Sequence, residues 1–195
     1  MENQIFFIIV GSNQWIISEN ICYLNNLILP ENMNAEYVIL APDNIPQALE
    51  AAMNESAAKY KIYLDENTFI TDKNFLIKAL NIFNEQPEIG MLGVRGFYKE
   101  NETSEMEVKG HYAYLDNDTT TSCVKDVCEG EYNEVLDVLA LDKHFMMTSI
   151  DTAWHGDDNN FNIIKSVELC HMGYRTVVLT DEKPSVLFDN GIVNK

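Results

Sequence analysis

Short apolar runs alternate with amphipathic stretches from the amino terminus to about residue 94. An uninterrupted apolar run that ends at a turn signal is typical of a strand inside a sheet, whereas apolar residues three and four apart are typical of a helix packed on one side. These patterns predict strands over Gln4–Val10, Tyr37–Leu40, Tyr60–Leu64 and Ile89–Val94, and helices over Trp15–Leu29, Pro46–Ala58 and Lys73–Asn84. This alternation predicts a Rossmann-like α/β domain with a mostly parallel central sheet and helices on both faces.

The periodic pattern fails between Gly96 and Asn133, where the chain is polar and acidic apart from one hairpin strand expected around Tyr112–Leu115. A long irregular insertion in a compact domain is usually a functional loop, so we expect it beside the ligand cleft. The pattern resumes with an antiparallel strand and turn over Glu134–Met147, a helix over Phe161–Met172 and a strand over Thr176–Leu179. Residues 1–195 are therefore predicted to form a single domain.

Composition and charge narrow the classes of partner. Hydrophobic residues make up 46% of the 195 residues and charged residues 23%, which is typical of a globular protein. The 13 basic and 31 acidic residues give a net charge of -18, and such a charge repels nucleic acid phosphates and anionic lipid headgroups. The sequence therefore argues against nucleic acid binding and against a membrane-surface role.

Two further features bear on the compartment. The early apolar run Ile5–Val10 is far shorter than a membrane span of about 20 residues. The four cysteines do not have the spacing of a zinc site, and scattered thiols of this kind are typical of a reducing compartment. We therefore predict a soluble, cytoplasmic protein.

Polar residues follow three of the predicted strands at the edge where open α/β sheets bind ligands. Ser12 follows the first strand, Asp43 the second, and Asp65, Glu66 and Asn67 follow the third. Two carboxylates and an amide supply the hard oxygen ligands that Mg²⁺ or Mn²⁺ prefers. The same residue types also begin turns and cap helices, so a purely structural role remains an alternative.

A second acidic pair, Asp157 and Asp158, precedes the helix predicted to begin at Phe161. A carboxylate there could act as a general base, or it could favour the dipole at the start of the helix. The four histidines do not have metalloprotease spacing, and the chain contains neither a P-loop nor a nucleophile-elbow motif. Hydrolase and NTPase functions are therefore disfavoured.

An ordered series of segments resembles a known family. The run KYKIYLDENTFI at residues 59–70, then NFL at 74–76 and PEIGMLGV at 87–94, is similar to a bacterial branch of the glycosyltransferase family 2-like proteins, which have the GT-A fold. The matching order continues with ALEAAM at 48–53, ALDKHFMMT at 140–148, SVEL at 166–169, GYR at 173–175 and residues 184–191. The resemblance covers most of the chain from about residue 45 onward.

The resemblance implies a glycosyltransferase that moves a sugar from a nucleotide-sugar donor to an acceptor. A divalent metal, Mn²⁺ or Mg²⁺, would neutralise the diphosphate while a carboxylate deprotonates the acceptor hydroxyl. The implied positions are Asp65 and Asn67 at the metal and diphosphate, Glu66 with the donor, Ser12 and Asp43 near the nucleoside, Asp142 near the donor sugar, and Asp157 or Asp158 as the base.

The sequence departs from the family pattern at residues that carry this chemistry. Asn67 stands where the family usually has an aspartate that binds metal, and Phe188 stands before Asp189 where it often has a histidine. An alternative hypothesis is therefore a catalytically degenerate domain that binds a sugar, a nucleotide or a protein. A third is a nucleotide-binding α/β domain of other chemistry.

Overall fold

The computed structural model describes residues 3–101, 103–116, 123–130 and 134–189. The helices are α1 (Gln14–Leu24), α2 (Ile45–Glu55), α3 (Phe75–Glu85) and α4 (Phe161–His171). The strands are β1 (Gln4–Val10), β2 (Asn34–Leu40), β3 (Tyr60–Asp65), β4 (Thr68–Ile70), β5 (Ile89–Gly93), β6 (Arg95–Tyr98), β7 (Glu107–Asp116), β8 (Cys123–Glu129), β9 (Glu134–Asp137), β10 (Ala140–Leu141), β11 (Phe145–Thr148), β12 (Arg175–Thr180) and β13 (Val186–Phe188). That residues 1–195 form one domain stays a prediction.

The larger sheet has the strand order β2-β1-β3-β11-β5-β12-β9. Strands β2, β1, β3, β5 and β12 run in one direction, whereas β11 and β9 run against their neighbours. The antiparallel element expected within Glu134–Met147 is confirmed by these two strands. Because β11 lies between β3 and β5, it interrupts the parallel part of the sheet and places its own amino end beside the carboxyl end of β3.

A second sheet with the order β10-β6-β7-β13-β4, and with β8 paired to β7, is chiefly antiparallel. The fold is thus α/β with two mixed sheets, and the prediction of one mostly parallel sheet is corrected to that extent. The prediction that Gly96–Asn133 is irregular is wrong for most of this segment, which forms β6, β7 and β8; residues 102, 117–122 and 131–133 lie outside the described residues. The alternation of apolar and polar residues is weak in this segment because β8 is an edge strand, in which Val124, Lys125 and Asp126 are all exposed.

Two hydrophobic clusters cover opposite faces of the larger sheet. The first joins α1 and α3 to Ile5, Phe7 and Ile9 of β1. The second joins α2 and α4 to Ile8 of β1 and Tyr63 of β3. Successive residues of a strand point to opposite faces, so this division confirms helices on both faces.

The helix boundaries follow their capping chemistry. The side chain of Asn13 accepts a hydrogen bond from the backbone N–H of Trp15 at 3.1 Å. Asn44 does the same at the start of α2, where it accepts from Gln47 at 2.9 Å. These caps fix where α1 and α2 begin, at the carboxyl ends of β1 and β2.

Gly110 of β7 is required by its close approach to the β5–β6 connection. Its φ is +124°, and a Cβ atom there would lie 2.0 Å from the carbonyl oxygen of Val94. We expect Gly110→Ala to lower the free energy of unfolding by about 2 kcal/mol or more, because backbone strain and a steric clash add.

Gly173 supplies the matched control, since its φ is +91° but a Cβ atom there meets nothing within 4 Å. Gly173→Ala should cost only about 1–2 kcal/mol, from the left-handed backbone alone. Urea unfolding of both variants measures the difference. Equal losses would show that the contact with Val94 is unimportant.

Candidate functional site

A small cavity lies at the carboxyl ends of β1 and β3. Its volume is about 70 Å³, and it is lined by Val10, Ile45, Leu49, Tyr63, Leu64, Asp65, Lys143, Met146 and Phe161. This is the edge at which the sequence predicted the ligand site. A cavity of this size admits only a small part of a ligand as large as a nucleotide, so the remainder would lie on the open surface in front of it.

Asp65 forms part of the cavity wall, and its binding of a donor or a metal stays a prediction. Its Oδ1 accepts hydrogen bonds from the backbone N–H of Asn67 at 3.0 Å and from the Asn67 side-chain amide at 3.1 Å. The backbone N–H of Asp65 donates to the carbonyl of His144 at 3.0 Å. Asp65 is therefore held on both sides, by its own turn and by the segment before β11.

The two departures from the family pattern lie next to each other. The backbone N–H of Asp189 donates to the carbonyl of Asn67 at 3.0 Å, and Phe188 pairs with Thr68 across β13 and β4. Phe188 is buried, and its ring packs against those of Tyr112 and His144 at centroid distances of 5.5 and 6.0 Å. The changes at 67 and 188 thus alter one location.

The residues at this location fit a protein-held divalent metal poorly. The Asn67 amide donates its N–H to Asp65, and Phe188 is an apolar core residue. Among residues 3–189 that the structure describes, His, Cys, Asp and Glu form no group of three or more placed to hold a metal ion. Asp65 and Asn67 alone leave most of the coordination sphere of Mg²⁺ or Mn²⁺ to other ligands.

Glu66 and Ser12 lie beside each other at the end of β1. The Glu66 carboxylate accepts a hydrogen bond from the backbone N–H of Asn13 at 2.7 Å, and a Cβ atom at Gly11 would lie 2.2 Å from the same oxygen. Glu66 thereby ties the end of β3 to the start of α1. Ser12 is exposed next to this contact; donor binding by either residue stays a prediction.

The structure brings Asp158 to the start of α2. Its Oδ1 accepts a hydrogen bond from the backbone N–H of Ile45 at 2.8 Å, and its carbonyl oxygen is 3.4 Å from Nζ of Lys143. Ile45 and Lys143 both line the cavity. Asp43 is exposed just before this contact, so the predicted residues Asp43 and Asp158 are brought to the same rim.

Asp157 has a different environment. It is exposed, and its carboxylate accepts hydrogen bonds from the backbone N–H of Asn159 at 2.8 Å and from the Asn160 amide at 3.3 Å. Its carbonyl accepts from Phe161 at the start of α4. These contacts are those of a residue that shapes the turn before a helix.

Asp142 is buried, and both oxygens of its carboxylate have partners within the protein. One oxygen lies 2.6 Å from a guanidinium nitrogen of Arg95, and the other accepts from the backbone N–H of His144 at 2.9 Å and from the His144 ring. Burial alone raises the pKa of this carboxyl group, but the hydrogen bonds and charges of His144 and Arg95 outweigh it and bring the pKa below its usual value. Asp142 therefore stays ionised and holds the 142–144 turn.

Two buried lysines hold the segment that leads to Asp157 and Asp158. Nζ of Lys61 lies 2.7 Å from Asp151 and donates to the carbonyl of Ala58. Nζ of Lys165 donates to the carbonyls of Thr152 and Ala153 and lies 4.6 Å from the ring centroid of Trp154. Burial lowers the pKa of Lys165 to about 8, although the negative charges of Glu50, Glu168 and Asp151 oppose this.

Sequence reasoning missed the residues that hold the candidate site residues in place. Arg95 was visible only as a residue after a predicted strand, and Lys143 and His144 only as members of the family-like segment at 140–148. Lys61 and Lys165 did have one, because a lysine at a core position of a strand or helix must find partners. Identifying those partners required the packing of α4 and the 149–160 segment against β3.

A larger groove of about 650 Å³ lies between α4 and the β9–β10 connection. Its wall is mainly apolar, with Leu139, Val167 and Tyr174 among its residues, and it includes none of the predicted site residues. No helix among the described residues is long and apolar enough to cross a bilayer.

Comparison with known proteins identifies what the chain resembles. A sequence model described as "Glycosyltransferase like family" matches residues 6–195, which confirms the family resemblance found in the sequence. No curated protein sequence matches the chain significantly.

Several solved structures share the fold. Residues 1–349 of Staphylococcus aureus TarS in complex with UDP-GlcNAc match with a TM-score of 0.61 at 11% identity, covering 96% of this chain and 58% of that TarS fragment. The mannosyltransferase PcManGT from Pyrobaculum calidifontis, in complex with GDP-Man and Mn²⁺, matches at 0.60 and 9%, covering 100% and 59%. A197 from STIV matches at 0.53 and 16%, covering 92% and 82%. The chain thus spans about three fifths of the length of the TarS fragment and of PcManGT, and these identities establish similarity of fold alone.

The lowered pKa of Lys165 predicts a pH dependence of stability. The pKa of a lysine in the unfolded chain is near 10.5, so between pH 8 and 10 the unfolded state binds more protons than the folded state. The free energy of unfolding contributed by Lys165 should rise over this window by roughly 2–3 kcal/mol.

Lys165→Met should remove this rise, whereas Lys59→Met, at an exposed lysine, should keep it. Urea unfolding of the three proteins at pH 7, 8, 9 and 10 measures the effect. Parallel profiles for wild type and Lys165→Met would contradict the prediction.

Proposed function

This chain belongs to the glycosyltransferase-like family, and on that premise we propose that it transfers a sugar from a nucleotide-sugar donor to an acceptor hydroxyl. The observation that carries the proposal is the position of Asp65, which lines the cavity at the carboxyl end of β3. Open α/β folds bind their ligands at this edge. Ser12 and Asp43, exposed after β1 and β2, would contact the nucleoside.

The class of donor is supported by the fold relatives. TarS was solved with UDP-GlcNAc and PcManGT with GDP-Man, and both compounds are sugars linked through a diphosphate to a nucleoside. We therefore infer a donor of this class for the present chain. Asp65 and Glu66 would lie along the diphosphate and sugar, and Asp142 would act there by holding the 142–144 turn.

Asp158 is the better candidate for the base. It is bound to Ile45 and contacts Lys143 at the cavity rim, whereas Asp157 is exposed and engaged in its own turn. Asp158 would take the proton of the acceptor hydroxyl. The acceptor oxygen would then bond to the anomeric carbon while the bond from that carbon to the diphosphate breaks, and the electron pair would leave with the nucleoside diphosphate.

A divalent metal is the less well supported part of the proposal. PcManGT was solved with Mn²⁺, and Asp65 with Asn67 would be the residues nearest to such an ion. The poor ligand set around Asn67 and Phe188 is the specific observation that favours the second candidate function, a degenerate domain that binds a nucleotide or sugar without turnover.

Calorimetry with UDP, GDP, UDP-GlcNAc and GDP-Man, each with Mn²⁺ and with EDTA, tests the proposal. We expect at least one to bind, and Asp43→Ala to weaken it at least tenfold, because a carboxylate that accepts hydrogen bonds from the nucleoside contributes about 1.5–3 kcal/mol. Glu85→Ala removes the same charge from an exposed end of α3 and should bind like wild type. If none of the four compounds binds, the proposed function is wrong.

Turnover separates the two candidate functions and tests the base. Asp158→Asn should lower kcat by about 10²–10⁴-fold and leave donor affinity within a few fold, because a general base acts on the acceptor proton. Asp157→Asn serves as the matched control and should change kcat little. Donor hydrolysis in water measures both, without a known acceptor, and binding without any turnover would favour the degenerate domain.

A further inference from the structure

We propose that the ammonium group of Lys143 neutralises the donor's diphosphate in this protein, so that nucleotide binding does not require a metal. This inference rests on the proposed function, because it assigns a charge partner to the same donor. It concerns the disagreement between the Mn²⁺ present in PcManGT and the poor metal ligand set of this chain.

The 142–144 turn holds Lys143 in a defined place. The Asp142 carboxylate binds Arg95 and the backbone N–H of His144, and the Asp142 backbone N–H donates to the Arg95 carbonyl at 2.9 Å. On the other side, the His144 carbonyl accepts from Asp65. The turn is thus anchored to β6 and to the end of β3, with Lys143 at its exposed centre, in the cavity wall.

The negative charge around the cavity would repel a bound diphosphate unless a cation lay close to it. Asp65 and Lys143 are the charged residues in its wall, and the whole chain carries a net charge of -18. An anionic diphosphate placed against Asp65 would meet repulsion that a nearby ammonium offsets. Among the residues that the structure describes, Lys143 has no carboxylate within salt-bridge distance, and its contact at 3.4 Å is with a carbonyl oxygen.

The location that would hold a metal has a weakened set of protein ligands. Asn67 replaces a charged ligand by an amide that donates to Asp65, and the buried ring of Phe188 lies beside it. A lysine needs no such coordination sphere, because its three N–H groups bind phosphate oxygens as a point charge.

The same group would assist bond cleavage. When the bond between the anomeric carbon and the diphosphate oxygen breaks, the electron pair remains on that oxygen and its negative charge grows. The ammonium of Lys143 stabilises this charge more strongly after cleavage than before it, while keeping its own proton. The acceptor proton goes to Asp158, as in the proposed function.

Calorimetric titration of the intact chain with UDP, GDP and inorganic pyrophosphate, in EDTA and in Mn²⁺, tests the inference. Pyrophosphate reports on the diphosphate contact apart from the nucleoside. We expect binding in EDTA within threefold of that in Mn²⁺, a loss of at least tenfold in Lys143→Met, and substantial recovery in Lys143→Arg. Lys59→Met removes an equal charge at the opposite end of β3 and should bind like wild type.

Thermal unfolding of each variant, with no ligand, shows whether the fold is intact. Lys143 is exposed, so Lys143→Met should melt within a few degrees of wild type. Binding of UDP or GDP by wild type only in Mn²⁺ would overturn the inference and leave the proposed function standing. Equal affinity of wild type and Lys143→Met in EDTA would also overturn it, and failure of wild type to bind in either buffer would remove both.

Discussion

The antiparallel insertion of β11 between β3 and β5 is the constraint on which the rest of the site depends. It brings the residues just before β11 to the carboxyl end of β3, where the His144 carbonyl accepts from the backbone of Asp65. Without this pairing, the 142–144 turn and the Asp65 turn would lie apart in the folded protein. The two turns share a cavity wall because the amino end of β11 lies beside the carboxyl end of β3 at this edge of the sheet.

Electrostatics organise the same region at a second level. A chain with a net charge of -18 has few cations, and the structure uses several of them internally, with Arg95 on Asp142 and Lys61 on Asp151. Ion pairs with a buried member add little to stability, but removing one partner leaves a buried charge uncompensated. Their effect here is positional, because each holds a segment that carries a candidate site residue, and Lys143 remains facing outward.

The family resemblance and the geometry agree about location more than about chemistry. The match over residues 6–195 and the shared GT-A fold agree with the edge of the sheet at which the nucleotide-sugar site is proposed. The residues at 67 and 188, which stand 121 positions apart in sequence, prove to be neighbours through the pairing of β13 with β4. Their joint departure from the family pattern therefore falls at one location, and the proposal assigns the compensating positive charge to Lys143, which lines the same cavity as Asp65.

The sequence by itself determined the elements whose patterns are local. The apolar run of β1, the cap at Asn13, the helical face of α3 and the acidic turn at Asp65 depend on neighbours within a few residues, and so does the left-handed residue Gly173. The tertiary structure decided what depends on distant partners. These features are the mixed direction of the sheets and the strands β7 and β8, because β8 lies at the edge of its sheet and lacks a clear alternation of apolar and polar residues. The tertiary structure also decided whether each carboxylate faces the cavity or the protein. Asp65 and Asp142 each follow an apolar run in the sequence, yet Asp65 lines the cavity, whereas Asp142 is bound to Arg95 and His144. The difference arises because the partners of a side chain are set by long-range packing, which the local sequence pattern does not encode.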